Sequence, residues 1–173
     1  MINDILEARE KRYNLILDII NMYKKPVICG KINYPGNNKN TTEAQKAFKV
    51  LEKLLLLHFD KDSLYNEKDT GADGSAILIT TKLDGVEAKK LAMDLEKKHT
   101  LGRIFDIDIY DIDGASIGRE KMNIPSRGCL ICNEDARICM RSGKHKLGEI
   151  INSVNSLING YLTSNSSDLS SQK

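Results

Sequence analysis

The sequence has no tryptophan, three phenylalanines and six tyrosines, so aromatic residues are only 5% of the chain. Platforms that stack unpaired bases are built from such rings, and there is little here to build one with. An excess of one charge is also missing. Lys and Arg total 26 against 24 Asp and Glu, a formal net charge of +2, far from the strong basicity of a general nucleic-acid binder. No apolar run approaches the roughly 20 residues of a membrane span, and the longest leucine stretch is Leu54 to Leu57. The opening residues, MINDILEAREKRY, mix acids and bases, which is the wrong pattern for a secretory signal peptide. The expectation is a cytoplasmic protein with neither nucleic acid nor membrane as partner. With 40% apolar residues, 173 residues suffice for one core and leave little room for a second domain.

Near-neutrality conceals a local imbalance. Ile104 to Asp113 holds four Asp and no Lys or Arg, whereas Gly118 to Lys146 holds seven Lys or Arg against three acids. An acidic strand beside a basic segment suits metal and phosphate better than DNA.

Periodicity predicts the elements. A helical stripe of Leu6, Tyr13, Ile16, Ile20 and Tyr23 runs from about Asn3, a candidate cap, to Lys24, and Pro26 closes it. Val27 to Ile32 reads as a strand, followed by the turn Asn33-Tyr34-Pro35-Gly36. Thr42 and Gln45 are spaced as a capping box opening a second helix, whose apolar face runs from Ala44 through Leu55 to His58, a packed histidine on this reading. After a loose polar stretch, residues 70–74 (TGADG) form a turn or phosphate-sized loop before a buried strand, Ser75 to Thr80. Asp84 and Glu87 cap a third helix lined by Ala88, Leu91, Ala92 and Leu95 and ending near His99. Ile104 to Tyr110 is the clearest strand, and Asp113-Gly114 signals a hairpin with a return strand at Ala115 to Gly118. A short helix after Asn133 stops at Gly143, and the last helix carries Leu147 to Tyr161. The polar residues 163–173 read as a disordered tail behind a domain of residues 1–162. The fold class is α+β: one domain with a small mixed or antiparallel sheet and flanking helices.

Within FDIDIY, Asp106 and Asp108 share one face and Phe105, Ile107 and Ile109 the other. The two Asp stand roughly 6.6 Å apart along the strand, close enough to converge on hard cations such as Mg²⁺. A solvated acidic face is the plainer reading of the same pattern. Asp111 and Asp113, of opposite parity, are explained by the turn. Downstream, Cys129, Cys132, Cys139 and His145 have the residue types of a Cys₃His zinc site, though at atypical spacing. Cys132, Ala136 and Cys139 also fit a short helix that buries small residues. Arg127, Arg137, Arg141, Lys144 and His145 surround these cysteines. Arg137 and Arg141, one helical turn apart, fit a phosphate fork as well as a solvated face.

Taken together, HTLGRIFDIDIYDIDG (His99 to Gly114), RGCLIC (Arg127 to Cys132) and CMRSGKH (Cys139 to His145) resemble the apo-citrate lyase phosphoribosyl-dephospho-CoA transferase family. LEAREKR (Leu6 to Arg12), NYPGNNK (Asn33 to Lys39) and Thr70-Gly71 fit the same family in order, so the resemblance covers about Ile5 to Ile158. It implies a nucleotidyltransferase-type enzyme, with a fold akin to nucleotidyltransferases. The implied reaction attaches 2′-(5″-triphosphoribosyl)-3′-dephospho-CoA to a serine of the apo acyl-carrier subunit of citrate lyase and releases diphosphate. The resemblance also implies Mg²⁺ at Asp106 and Asp108, with Lys39, Arg103, Arg127, Arg141, Lys144 and His145 as candidates for the donor's phosphates. No Walker A pattern is present, and the chain is too short to include the synthase that makes the donor. The alternative of another class is a non-enzymatic, zinc-stabilised protein-binding adaptor built on Cys129, Cys132, Cys139 and His145.

Overall fold

In the computed structural model, which describes residues 2–122 and 125–170, the chain runs α1 (Ile2–Tyr23), β1 (Val27–Ile32), α2 (Thr42–Phe59), β2 (Ser63–Gly71), β3 (Gly74–Thr81), α3 (Gly85–Lys98), β4 (Phe105–Tyr110), α4 (Ala136–Ser142) and α5 (Leu147–Ser170). The four strands form one antiparallel sheet in the order β2-β3-β1-β4, which is the expected α+β architecture. No helix among the described residues is long and apolar enough to cross a membrane.

Strand alternation divides the side chains between two cores. On one face Val27, Cys29, Ala76 and Leu78 pack against Ile16, Ile19 and Ile20 of α1. On the other, Ile28, Ile77, Ile79, Phe105, Ile107 and Ile109 meet α2, α3 and the Val154 and Ile158 pair of α5. At Gly30 a Cβ would stand 2.2 Å from Leu55 Cδ1, so α2 crosses β1 closely enough to require glycine.

Several local expectations shift. Thr41, not Thr42, caps α2, its hydroxyl accepting from the Ala44 amide at 3.2 Å, while Gln45 donates its side-chain amide to the Asn40 carbonyl. Asn3 lies inside α1. That helix buries Ile5, Arg12, Ile16, Ile19 and Ile20 and leaves Leu6 and Tyr13 exposed, because an arginine held by carboxylates takes a core-facing position. His58 is exposed rather than packed, with Nδ1 2.9 Å from the Leu54 carbonyl, because Phe59 takes the buried position. Leu91 is likewise exposed. The polar stretch before residue 70 is β2, an edge strand whose exposed positions are Leu64, Asn66, Lys68 and Thr70. Residues 70–74 are the tip of the β2–β3 hairpin, with Ala72 and Asp73 as its turn, and the anion there is the buried carboxylate of Asp73.

The return strand expected at Ala115 to Gly118 is reduced to one bridge, Tyr110 with Ser116, flanked by two hydrogen bonds, from the Ile117 amide to the Ile109 carbonyl at 2.8 Å and from the Asp111 amide to the Ala115 carbonyl at 2.9 Å. Side chains already occupy the outer edge of β4 further along (below). α5 continues past Leu162 to Ser170, and the side chains of Thr163, Ser164 and Asn165 bond back to carbonyls four residues earlier. Residues 171–173 of the expected tail lie outside the described residues.

Candidate active site

Asp106 and Asp108 project half-buried from one face of β4, opposite Lys31 and Cys29 of β1. The Lys31 ammonium lies 3.4 Å from Asp106 and 3.8 Å from Asp73. Asp73 in turn receives bonds from Arg9 and Arg12, each at 2.9 Å, and Arg12 also reaches Asp69 at 2.6 Å and the Gly74 carbonyl at 2.9 Å. Acids and bases thus alternate from the D-x-D strand to α1, and α1 is locked to the hairpin turn. Burial, reinforced by the charge of Asp106, raises the Asp108 carboxyl above the ordinary range, opposed by Lys89 and Lys31.

The free edge of β4 is closed by side chains. Glu96 of α3 accepts from the Ile107 amide at 3.2 Å, and the buried Lys89 donates to the Ile107 carbonyl at 3.1 Å. Arg127 donates to the Phe105 carbonyl at 2.8 Å, and Arg127 and Arg119 both pair with Glu96. Burial lowers the Lys89 pKa, with Asp108 opposing. Lys89, Arg119, Arg127 and Arg137 surround Asp106 and Asp108 in a cavity of about 360 Å³. An acidic pair facing four cations is an arrangement that accepts phosphate groups together with a hard metal ion.

Asn33, Ala136 and Met140 line both this cavity and a neighbouring one of about 400 Å³, which also contains Lys39, Arg103, Cys129, Cys139 and His145. Lys39 donates to the Tyr34 carbonyl and Arg103 to the Gly128 carbonyl. Burial lowers both pKa values, for Arg103 with help from the charge of Arg127. Arg141 and Lys144 line neither cavity: Arg141 is exposed, and Lys144 pairs with Glu134 at 2.7 Å. Arg137 stands 3.5 Å from Glu120, both side chains being exposed. Asp111 and Asp113 accept turn amides from Ile112 and Ala115, the structural role expected of them.

A family model described as apo-citrate lyase phosphoribosyl-dephospho-CoA transferase matches residues 1–161. The chain belongs to this family. A Vibrio cholerae relative described as probable apo-citrate lyase phosphoribosyl-dephospho-CoA transferase is 38% identical over 176 residues, 92% of each chain. An Escherichia coli apo-citrate lyase phosphoribosyl-dephospho-CoA transferase is 31% identical over 161 residues, covering 91% of this chain and 88% of the relative. Protein CitXG of Haemophilus influenzae is 28% identical over 163 residues, and the chain spans 34% of that longer relative.

Within this apo-citrate lyase phosphoribosyl-dephospho-CoA transferase family member, sequence reasoning found the D-x-D pair but missed Lys31, Asp73, Lys89, Glu96 and Arg119. A signal existed for two of them. Lys89 and Glu96 are seven residues apart on a helix, one place beyond Ala88 and Leu95, so they fall on the border of the apolar stripe and face the strand it covers.

Proposed function

We propose that this chain transfers 2′-(5″-triphosphoribosyl)-3′-dephospho-CoA to a serine of the apo acyl-carrier subunit of citrate lyase. The supporting observation is one cavity, in a member of this family, where Asp106 and Asp108 face Lys89, Arg119 and Arg127. In the transfer, the serine oxygen bonds to the phosphorus next to ribose, that phosphorus releases diphosphate, and the serine proton passes to solvent. Negative charge grows on the leaving diphosphate. Lys89, Arg119 and Arg127 are held by Ile107, Phe105 and Glu96 before substrate arrives, so they offset that charge without reorganising. Asp106 and Asp108 fit Mg²⁺, being hard oxygen donors on one half-buried face of one strand. Bound there, Mg²⁺ would neutralise phosphate oxygens and favour loss of the serine proton.

Lys39 and Arg103, in the adjoining cavity, are assigned to the remaining phosphates of the donor. Arg141 and Lys144, outside both cavities, are left out of that assignment, and His145 is turned toward Cys132, 3.3 Å away. The proposal places the reaction in the cytoplasm, where cysteines such as Cys29, Cys129, Cys132 and Cys139 stay out of disulfides. The adaptor reading is weaker because it leaves the carboxylates and their cations without a task.

The test is transfer of labelled donor onto purified apo carrier, in Mg²⁺ and in EDTA. EDTA and the double variant Asp106→Asn, Asp108→Asn should each lower transfer by about a hundredfold or more. Undiminished transfer by the double variant overturns the metal assignment, and label reaching small molecules but never the carrier overturns the partner.

A further inference from the structure

Residues 125–146 contain one seven-residue helix and no strand of the sheet, yet they supply Arg127 and the Gly128 carbonyl that holds Arg103. Among the described residues of this segment, only Cys129 and Cys139 are buried, which is little apolar area to hold a loop in place. The chain is nonetheless wound tightly. Asn133 adopts a positive φ of 60°, its amide donates to the Cys129 carbonyl at 3.2 Å, and a Cβ on Gly128 would stand 3.1 Å from the Asn133 carbonyl oxygen. This turn brings Cys129 and Cys132 to one side. α4 then returns Cys139 to them, and Gly143, left-handed at φ 59°, turns the chain so that His145 arrives at the same point.

The four ligand atoms all lie within 4.8 Å of one another. Cys132 Sγ is 3.5 Å from Cys139 Sγ and 3.3 Å from His145 Nε2. A tetrahedral zinc ion with Zn–S of about 2.3 Å and Zn–N of about 2.0–2.1 Å sets neighbouring ligand atoms about 3.5–3.8 Å apart. The Ile131 amide donates to Cys129 Sγ at 3.4 Å, a bond that stabilises a metal-bound thiolate. Three thiolates and a neutral imidazole around Zn²⁺ leave one net negative charge, and the Lys144 ammonium, paired with Glu134, stands beside the cluster.

We propose that Cys129, Cys132, Cys139 and His145 bind one Zn²⁺ in a closed structural site that fixes the Arg127 and Gly128 segment against β4. All four positions are protein ligands, so the metal is a brace, separate from the Mg²⁺ proposed at Asp106 and Asp108. Binding displaces the thiol protons to solvent, with no redox change.

The experiment is elemental analysis of the full-length protein purified without chelator, with Co²⁺ titration of protein stripped of metal. One zinc per chain is expected, along with Co²⁺ spectra showing thiolate charge-transfer and tetrahedral ligand-field bands. Zinc should survive the EDTA treatment that removes Mg²⁺-dependent transfer, which separates this proposal from the functional one. His145→Ala keeps three thiolates and should weaken zinc affinity about tenfold or more, and Cys132→Ser, which leaves the thiolates of Cys129 and Cys139, should lower the charge-transfer intensity per bound cobalt by about a third or remove the metal. Less than about a tenth of an equivalent of zinc after growth with added zinc, together with no Co²⁺ bands, overturns the proposal. So does a disulfide between any two of these cysteines in protein purified under reducing conditions.

Discussion

Replacing Glu96 by Gln keeps the shape of the side chain and one carbonyl oxygen and deletes the charge that holds the β4 edge. Glu96 is 5% exposed at its side chain, and the arginines it binds, Arg119 and Arg127, are 25% and 22% exposed. A hydrogen bond to a charged group contributes about 1.5–3 kcal/mol and a neutral one about 1 kcal/mol; keeping the oxygen toward Ile107 and Arg127 weakens one arginine bond and, with the new NH2 facing the Arg119 donor, loses the other, which costs about 2–5 kcal/mol. Solvent at the two guanidinium groups screens part of this, which puts the expected loss near 2 kcal/mol. For a chain of this size that lowers Tm by about 4–8 °C. Glu96→Ala also strands the Ile107 amide, and its expected loss is about 3–5 kcal/mol. Urea denaturation followed by circular dichroism measures both. With its Glu96 contact weakened, Arg127 keeps the Phe105 carbonyl as its other bonded partner, so KM for the donor should rise more than kcat falls. Both variants within about 0.5 kcal/mol of the parent would refute the account of how this edge is held.

Two further outcomes are expected. Arg12→Lys replaces a planar fork that reaches Asp69, Asp73 and Gly74 with a single ammonium, and should cost about 2–3 kcal/mol in urea denaturation; an unchanged midpoint contradicts the bridging role given to Arg12. His99 sits between the rings of Phe105 and Tyr161, each 5.0 Å away; burial lowers its pKa, and its Nδ1 accepts from the Leu101 amide at 3.0 Å. The unfolded chain takes up this proton near pH ~6.5 and the folded chain only at lower pH. Stability is therefore fully present above that pH and declines as the pH falls through the window below it. Urea midpoints at about pH 7.5 and 5.5 should differ more for the parent than for His99→Gln, and equal differences would remove His99 as the cause.

Elements whose apolar period matches their burial were legible from residues alone: β1, β4, α2 and the capping box of α3 follow from local chemistry. β2 was not, because an edge strand with Asn66, Lys68 and Asp69 has the composition of a loop, and its pairing with β3 supplies the order. The D-x-D pair was visible because alternation is local. Its partners were not, since Lys31 meets Asp106 only through strand pairing, and Glu96 meets Arg119 and Arg127 only through the packing of α3 on β4. Arg12 misled for a related reason: its buried position is tolerable only beside Asp69 and Asp73, which belong to a distant hairpin.

The strand order has a consequence for synthesis. β1, at the centre of the sheet, leaves the ribosome before either neighbour exists, and its Val27 must await Thr80 on one side and Tyr110 on the other. Until then its Val-Ile-Cys edge is open on both sides, and pairings so distant in sequence close slowly. α1, completed just ahead of it, can shelter one face of the nascent strand, whereas β2 and β3 can zip locally through their two-residue turn. A newly made chain is therefore most exposed to aggregation during the interval between emergence of β1 and arrival of β4, the strand whose docking also assembles the carboxylates.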